Sequence, residues 1–235
     1  MKLTIQKFNP QSDPEPYYVE GEVEYREHIT ALDALYLFHA DVEPVNFDYS
    51  CGARICGRCA VMVDGIPALL CMKLLDNAEH TIEPLAGFPI IHDLVVDKGS
   101  FDEVMTSISN RVMLEPITKE TLVPEDFAYS DEVQNLLIYG ELCCRCGLCR
   151  VNCSALKKVP DSFVGPAQMY AIGYRHLDWY DQGNRIAQAV AGGLYHCDDC
   201  GNCSFVCTYN LPHLKMWELL RNKAKEQGLV PSYVK

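Results

Sequence analysis

The chain has 235 residues, of which 49% are hydrophobic and 22% charged, and a formal net charge of −12. That length holds one or two domains with real cores. So acidic a balance argues against binding nucleic acid or anionic lipid through bulk charge. No apolar run reaches the roughly 20 residues of a membrane span, and the opening MKLTIQKFNP has neither an apolar signal core nor a twin-arginine pair.

Residues 1–95 read as a small β-rich domain. Leu3, Ile5 and Phe8 suggest a first strand and Tyr17 to Tyr25 a second. Thr30-x-x-Asp33 resembles a capping box ahead of a helix over Ala31 to Ala40. Cys51, Cys56 and Cys59 follow, with Cys71 beyond them, spaced C-x4-C-x2-C-x11-C. Between Cys59 and Cys71, an Asp64-Gly65 turn joins two apolar runs over Ala60 to Leu69, a strong hairpin signal. Strand, strand, helix, cysteine loop and hairpin is the order expected of a β-grasp ferredoxin domain. Thiolates hold iron–sulfur clusters, and this spacing opens as the plant-type [2Fe–2S] run does. Gly52 and Gly57 would let the backbone approach a cluster and donate N–H groups to it.

Residues 96–129 mix proline, glycine and polar side chains and read as a connection. From residue 130 to 235 the periodicity is helical. Ser130 precedes Asp131 and Glu132, which favour the start of a helix. Pro212 is placed as a first helical residue, and Leu214, Trp217, Leu220 and Ala224 form one apolar stripe. Two blocks share the spacing C-x2-C-x2-C-x3-C: Cys143, Cys146, Cys149, Cys153 and Cys197, Cys200, Cys203, Cys207. That spacing is the bacterial ferredoxin run, whose fourth cysteine serves the other cluster. The expected ligand sets are therefore crossed. One [4Fe–4S] centre takes Cys143, Cys146, Cys149 and Cys207, and the other takes Cys153, Cys197, Cys200 and Cys203. The expected class is α+β, a β-grasp plant-type ferredoxin domain followed by an α-helical bacterial-ferredoxin-like domain.

Thirteen cysteines are odd in number and clustered, which disfavours a secreted disulfide framework. Structural zinc uses paired C-x2-C hooks with four ligands per ion, and the triple hooks here fit a cubane better. Cys144 is out of register with every spacing and reads as a small buried residue. His196 abuts Cys197, where a histidine ligand is conceivable, yet cysteine suffices for every site. Lys157, Lys158 and Arg150 could raise cluster potentials, although the lysines read as a solvated surface. No G-x-G-x-x-G after a strand and no Walker A run is visible, so the catalytic chemistry is expected on another chain.

Both domains together resemble the iron–sulfur subunit of succinate dehydrogenase and fumarate reductase. The resemblance rests on the Cys51–Cys71 spacing and on Glu83-Pro84-Leu85 through Phe88-Pro89-Ile90-Ile91-His92-Asp93-Leu94-Val95-Val96-Asp97. Cys146-Gly147-Leu148-Cys149, Phe163-Val164-Gly165-Pro166-Ala167 and Cys203-x3-Cys207 extend it over nearly the whole chain. It implies a partner flavoprotein carrying FAD, which interconverts succinate and fumarate, at the [2Fe–2S] end. It implies a membrane anchor or another subunit, and quinone, at the far end. The location implied is cytoplasmic and peripheral on a membrane through partners, with export alongside a signal-bearing partner left open.

The departures from the family pattern are informative. The usual third block, C-x5-C-x3-C, holds a [3Fe–4S] centre, but here Cys200 fills the gap and a second [4Fe–4S] centre is expected. Tryptophan is common in quinone-reactive members after the cysteine matching Cys153, and this chain has Ser154 to Val159 there. Asp198 stands where histidine is common. Ser154 and Thr208 replace the prolines that usually follow the fourth cysteines, and Arg54 stands where glycine is common. Together these resemble a subgroup whose third subunit is a cysteine-rich, CCG-repeat protein similar to heterodisulfide reductase. The function implied is electron relay in a succinate/fumarate oxidoreductase. The alternatives are a related flavoenzyme acting on a different enoate or acid, and a free ferredoxin-like carrier.

Overall fold

The computed structural model describes residues 1–124 and 127–234. Glu125 and Asp126, within the expected connection, lie outside the described residues. The chain forms two compact units: Met1–Ser100 with Cys144–Asn152, and Phe101–Cys143 with Cys153–Lys235.

The first unit is a mixed five-stranded sheet crossed by one helix. Its elements are β1 (Lys2–Lys7), β2 (Tyr17–Glu22), α1 (Ala31–Asp41), β3 (Ala60–Val63), β4 (Ile66–Leu69) and β5 (Glu79–Pro84). The strand order is β2-β1-β5-β3-β4, with β1 and β5 parallel and the other pairs antiparallel. β6 (Ile90–His92) and β7 (Val95–Val96) form a small separate pair. This is the β-grasp arrangement. Leu3 and Ile5 of β1 alternate with polar neighbours and are fully buried with Leu35 and Phe38 of α1. Each such side chain contributes about 1.5–3 kcal/mol.

Local signals place the helix and the hairpin. The Thr30 hydroxyl accepts the Asp33 N–H at 3.1 Å while the Asp33 carboxylate accepts the Thr30 N–H at 3.4 Å, a complete capping box. Asp64 and Gly65 both adopt positive φ, 52° and 74°, as the tightest hairpin turn requires.

The second unit is helical. Its elements are α2 (Gly99–Ser109), which begins at the boundary, and α3 (Asp131–Glu141). Next in the chain is α4 (Leu148–Val151), which belongs to the first unit. Back in the second unit come α5 (Ser154–Lys158), α6 (Pro166–His176), α7 (Arg185–Ala191), α8 (Asn202–Phe205) and α9 (His213–Glu226). Ser130 caps α3 as expected, its Oγ accepting the Val133 N–H.

Three expectations need correction. The stretch 96–129 holds α2, whose Gly-Ser start hides an amphipathic face of Phe101, Met105 and Ile108, all buried. Its first turn is held by the Asp97 carboxylate, which accepts the Gly99 N–H at 2.7 Å. Pro212 is the N-cap of α9 rather than its first residue. The apolar stripe of α9 is Met216, Trp217, Leu220 and Ala224, whereas Leu214 is 40% exposed. Trp217, at 1% exposure, is core.

His213 opens α9 from a buried position. Its ring packs edge-on to Tyr170 and Trp217, and Nδ1 lies 2.9 Å from the Leu211 carbonyl oxygen. Burial pushes its pKa down to about 4. A base so depressed is neutral in the folded state. Its stability contribution is therefore complete above the unfolded value near 6.5 and is lost as pH falls towards 4. Between pH 7 and 5 the loss is about 2 kcal/mol. His213→Gln should flatten that part of the curve, read as the difference in unfolding free energy between the two pH values. An unchanged slope would reject a buried neutral imidazole.

Candidate iron–sulfur sites

The first cysteine loop is fed by residues 43–50, which are tied to the sheet through Asp93. This buried carboxylate accepts N–H groups from Phe8 at 3.1 Å and Asn46 at 2.9 Å and lies 3.4 Å from Lys7 Nζ. Burial pushes the Asp93 carboxyl up, but the Asn46 and Phe8 N–H groups and Lys7 outweigh it and leave it below its usual range. At the loop, Cys51 Sγ accepts the backbone N–H groups of Ala53 and Cys56, each at 3.3 Å. These N–H groups, Ala53 first, bring the Cys51 thiol down to about 7.

The β3–β4 hairpin brings Cys59 and Cys71 together, their sulfurs 3.5 Å apart and both buried. Burial pushes Cys59 up to about 12. A thiol in such a place becomes an anion when a metal replaces its proton.

Gly52, Arg54 and Gly57 all have positive φ, at 59°, 69° and 65°. Arg54 is thus held in a conformation that costs a side-chain-bearing residue about 1–2 kcal/mol, which explains why glycine suits the position. Arg54→Gly should stabilise the loop by about 1 kcal/mol, read as a higher midpoint for thermal bleaching of the visible absorbance. A lower midpoint would mean that contacts of the Arg54 side chain outweigh the backbone strain.

The two C-x2-C-x2-C-x3-C blocks repeat at the level of the backbone. Arg145 (φ 53°) and Gly147 (φ 87°) precede α4, which contains Cys149. Asp199 (φ 55°) and Gly201 (φ 76°) precede α8, which contains Cys203. Cys200 therefore occupies the same backbone setting as Cys146. Cys153 caps α5, its sulfur accepting the Leu156 N–H at 3.4 Å. Burial raises Cys197 to about 11 and Cys203 to about 12. The third block is pinned to α9 by Arg221, which pairs with Asp199 at 2.6 Å and donates to the Cys197 carbonyl at 3.0 Å.

None of the thirteen cysteines is in a disulfide. Among the described residues no three Cys, His, Asp or Glu side chains converge at single-ion distances. The donor chemistry fits iron–sulfur clusters: cysteines outside any disulfide, glycines at close backbone approach, and N–H groups turned on sulfur. Cys144 is half-buried rather than buried. His196 stacks on Tyr233 at 5.8 Å, and Lys158 pairs with Asp198 at 3.4 Å.

Lys98 is a site residue with no motif to announce it. In the first unit its Nζ donates to the carbonyls of Gly57 at 3.3 Å and Arg145 at 3.5 Å, joining two cysteine loops.

Residues 2–103 match the family described as 2Fe-2S iron-sulfur cluster binding domain, and residues 140–211 match the 4Fe-4S dicluster domain. The fumarate reductase iron-sulfur subunit of Haemophilus influenzae is 31% identical, over 88% of this chain and 86% of its own. The chain belongs to this family. It is an electron-transfer subunit of an oxidoreductase complex and not the catalytic one.

Two further relatives widen the family. The Wolinella succinogenes fumarate reductase iron-sulfur subunit is 28% identical over 95% of this chain and 96% of its own. A fumarate reductase (CoM/CoB) subunit of Methanothermobacter marburgensis is 28% identical over 98% of this chain but only 46% of its own length. A chain of the Mycobacterium smegmatis Sdh1 complex superposes with a TM-score of 0.81 over 98% of both chains at 22% identity, a likeness of fold. Among the described residues no helix is long and apolar enough to cross a membrane.

Proposed function

We propose that this subunit carries three clusters and relays electrons between FAD on a partner flavoprotein, acting on succinate or fumarate, and a third subunit. The ligands are Cys51, Cys56, Cys59 and Cys71 for a [2Fe–2S] centre. Cys143, Cys146, Cys149 and Cys207 hold one [4Fe–4S] centre, and Cys153, Cys197, Cys200 and Cys203 hold a second. When bound, such clusters supply one-electron carriage. The chain's own residues hold them by thiolate, with Cys59, Cys71, Cys153 and Cys203 buried, and shape their loops with backbone N–H groups. No residue of this chain contacts the dicarboxylate.

The observation that carries the reading is the backbone repeat at Cys200. The positive-φ residues Asp199 and Gly201 reproduce those of Arg145 and Gly147, so the backbone around Cys200 repeats that around Cys146, which supports Cys200 as the fourth ligand. An anaerobic iron and sulfide analysis tests it: about 10 irons are expected, from two plus four plus four, against about 9 for a trinuclear third centre. Nine irons in undamaged protein would overturn the second [4Fe–4S] assignment.

The third subunit we expect is a CCG-repeat, cysteine-rich protein, with the complex placed peripherally on a membrane through its partners. Two features support this: Asp198 in place of histidine beside Cys197, and a relative matched over 98% of this chain that is named for CoM/CoB rather than a quinone. Anaerobic affinity purification tests both ends. A co-eluting flavoprotein inactive on both acids would keep the relay and discard the substrate. A brown protein eluting alone at low salt would favour a free carrier.

A further inference from the structure

Ser154 stands where the family usually has proline, and its surroundings give the change a purpose. It opens α5 directly after Cys153, whose sulfur caps that helix. Its Oγ lies 3.3 Å from Cys200 Sγ, and 3.1 and 3.4 Å from the two carboxylate oxygens of Asp198. Asp198 Oδ2 in turn lies 3.4 Å from Lys158 Nζ. The hydroxyl therefore sits between a sulfur and a carboxylate, both of them exposed.

The direction of the sulfur contact follows from chemistry. A free Cys200 thiol could donate to Ser154 or accept from it. Once iron has displaced its proton, Cys200 can only accept, so a hydrogen bond between the two runs from the serine O–H, for whose single proton the sulfur at 3.3 Å competes with Asp198 Oδ2 at 3.1 Å. A donor aimed at a cluster sulfur favours the more negative, reduced state and so raises the reduction potential. Hydrogen bonds to the sulfurs and net charge are two of the factors that set such potentials. The Asp198 carboxylate acts in the opposite sense, and the ammonium of Lys158 offsets it in part. Proline at this position has no O–H to give.

Resting on the ligand assignment above, we propose that Ser154 is a positioning residue that raises the reduction potential of the centre held by Cys153, Cys197, Cys200 and Cys203. It does so through a hydrogen bond from its hydroxyl to the Cys200 sulfur, with Asp198 opposing it.

An EPR-monitored redox titration of the anaerobically purified complex tests this, with the other two centres as internal references. Ser154→Ala and Ser154→Pro should each shift the midpoint of this centre to lower potential and leave the other two in place. Ser154→Thr, which keeps the hydroxyl, should restore it, and Asp198→Asn should shift it upward. Proline is well tolerated at a first helical position, so Ser154→Pro keeps the fold while removing the donor.

Unmoved midpoints in both Ser154→Ala and Ser154→Pro, with about 10 irons still bound, would overturn the proposal and leave the three-cluster reading intact. If Asp198→Asn raises the midpoint while Ser154→Ala does nothing, the serine proton belongs to the carboxylate, and the proposal also fails. A wild-type third centre with three irons would remove the proposal together with the ligand assignment.

Discussion

Gly57→Ala is expected to strip the [2Fe–2S] centre from the protein, whereas Gly52→Ala, five residues earlier in the same loop, is expected to keep it. Both glycines have positive φ, near 60°, so both substitutions carry the roughly 1–2 kcal/mol cost of a left-handed side-chain-bearing residue. They differ in what the new methyl meets. At Gly52 nothing lies within 4 Å of the Cβ position. At Gly57 the Cβ would fall 2.3 Å from the Cys144 carbonyl oxygen and 3.1 Å from the Cys146 Cα and N. Those are backbone atoms that cannot turn aside as a side-chain tip can. Overpacking of this kind adds about 1–3 kcal/mol, and the strain falls between two cysteine loops that Lys98 also joins. Anaerobic reconstitution followed by iron analysis and EPR would read the difference. Equal cluster loss in the two variants would show that backbone conformation, and not close packing, dictates glycine at position 57, and full retention in both would reject either requirement.

Arg185→Met is expected to destabilise the helical unit by about 3–5 kcal/mol, because it strands a buried carboxylate. The Asp181 side chain is 0% exposed and the Arg185 side chain 5%. The guanidinium grips the carboxylate with two bonds, Nη2 at 2.7 Å and Nε at 2.9 Å, and also donates to the Asn110 carbonyl at 2.7 Å. Asp181 accepts the Val112 N–H at 3.2 Å, so the pair fastens the segment after α2 to the start of α7.

The pH dependence carries a sign that tests this account. Burial by itself pushes the Asp181 carboxyl up, but Arg185 and the Gly183 and Val112 N–H groups outweigh it and hold it below its usual range. In the wild type its contribution is therefore complete above the unfolded value near 3.8 and is lost as pH falls below it. Without the arginine, burial prevails and the folded-state pKa rises. The variant should then recover stability as pH is lowered towards that raised value, the reverse slope. A loss under 1 kcal/mol, or parallel slopes, would mean that the carboxylate finds water or another cation when the arginine is gone.

Signals confined to a few residues were legible in the sequence. The Thr30–Asp33 capping box, the Asp64-Gly65 turn and the Ser130 cap each act within one helical turn or one hairpin, and each forms as its residues dictate. The three cysteine blocks were equally plain because ligand spacing is itself a local property. What escaped depends on residues far apart in sequence. Asp93 ties to Phe8, 85 positions away, and Arg185 to Asn110, 75 positions away. Lys98 reaches Gly57 and Arg145 through carbonyl groups that carry no side-chain signature. The helix α2 was hidden for a different reason. Its Gly-Ser start is a poor helix former, and it is secured by burial of Phe101, Met105 and Ile108 and by the Asp97 carboxylate at its first turn.

The chain leaves its first unit after Ser100, returns to it for Cys144–Asn152, and leaves again. A gene fragment ending near residue 100 would therefore encode the sheet and the first cysteine loop without the strip of backbone against which Gly57 is packed. Such a half-protein is a poor unit of exchange. Recombination at the connection would hand a recipient an unfinished part, and a protease that nicks the connection would leave one piece of that unit on each side of the cut. The first cluster-binding region is thus expected to be complete only in a chain that runs on through Asn152.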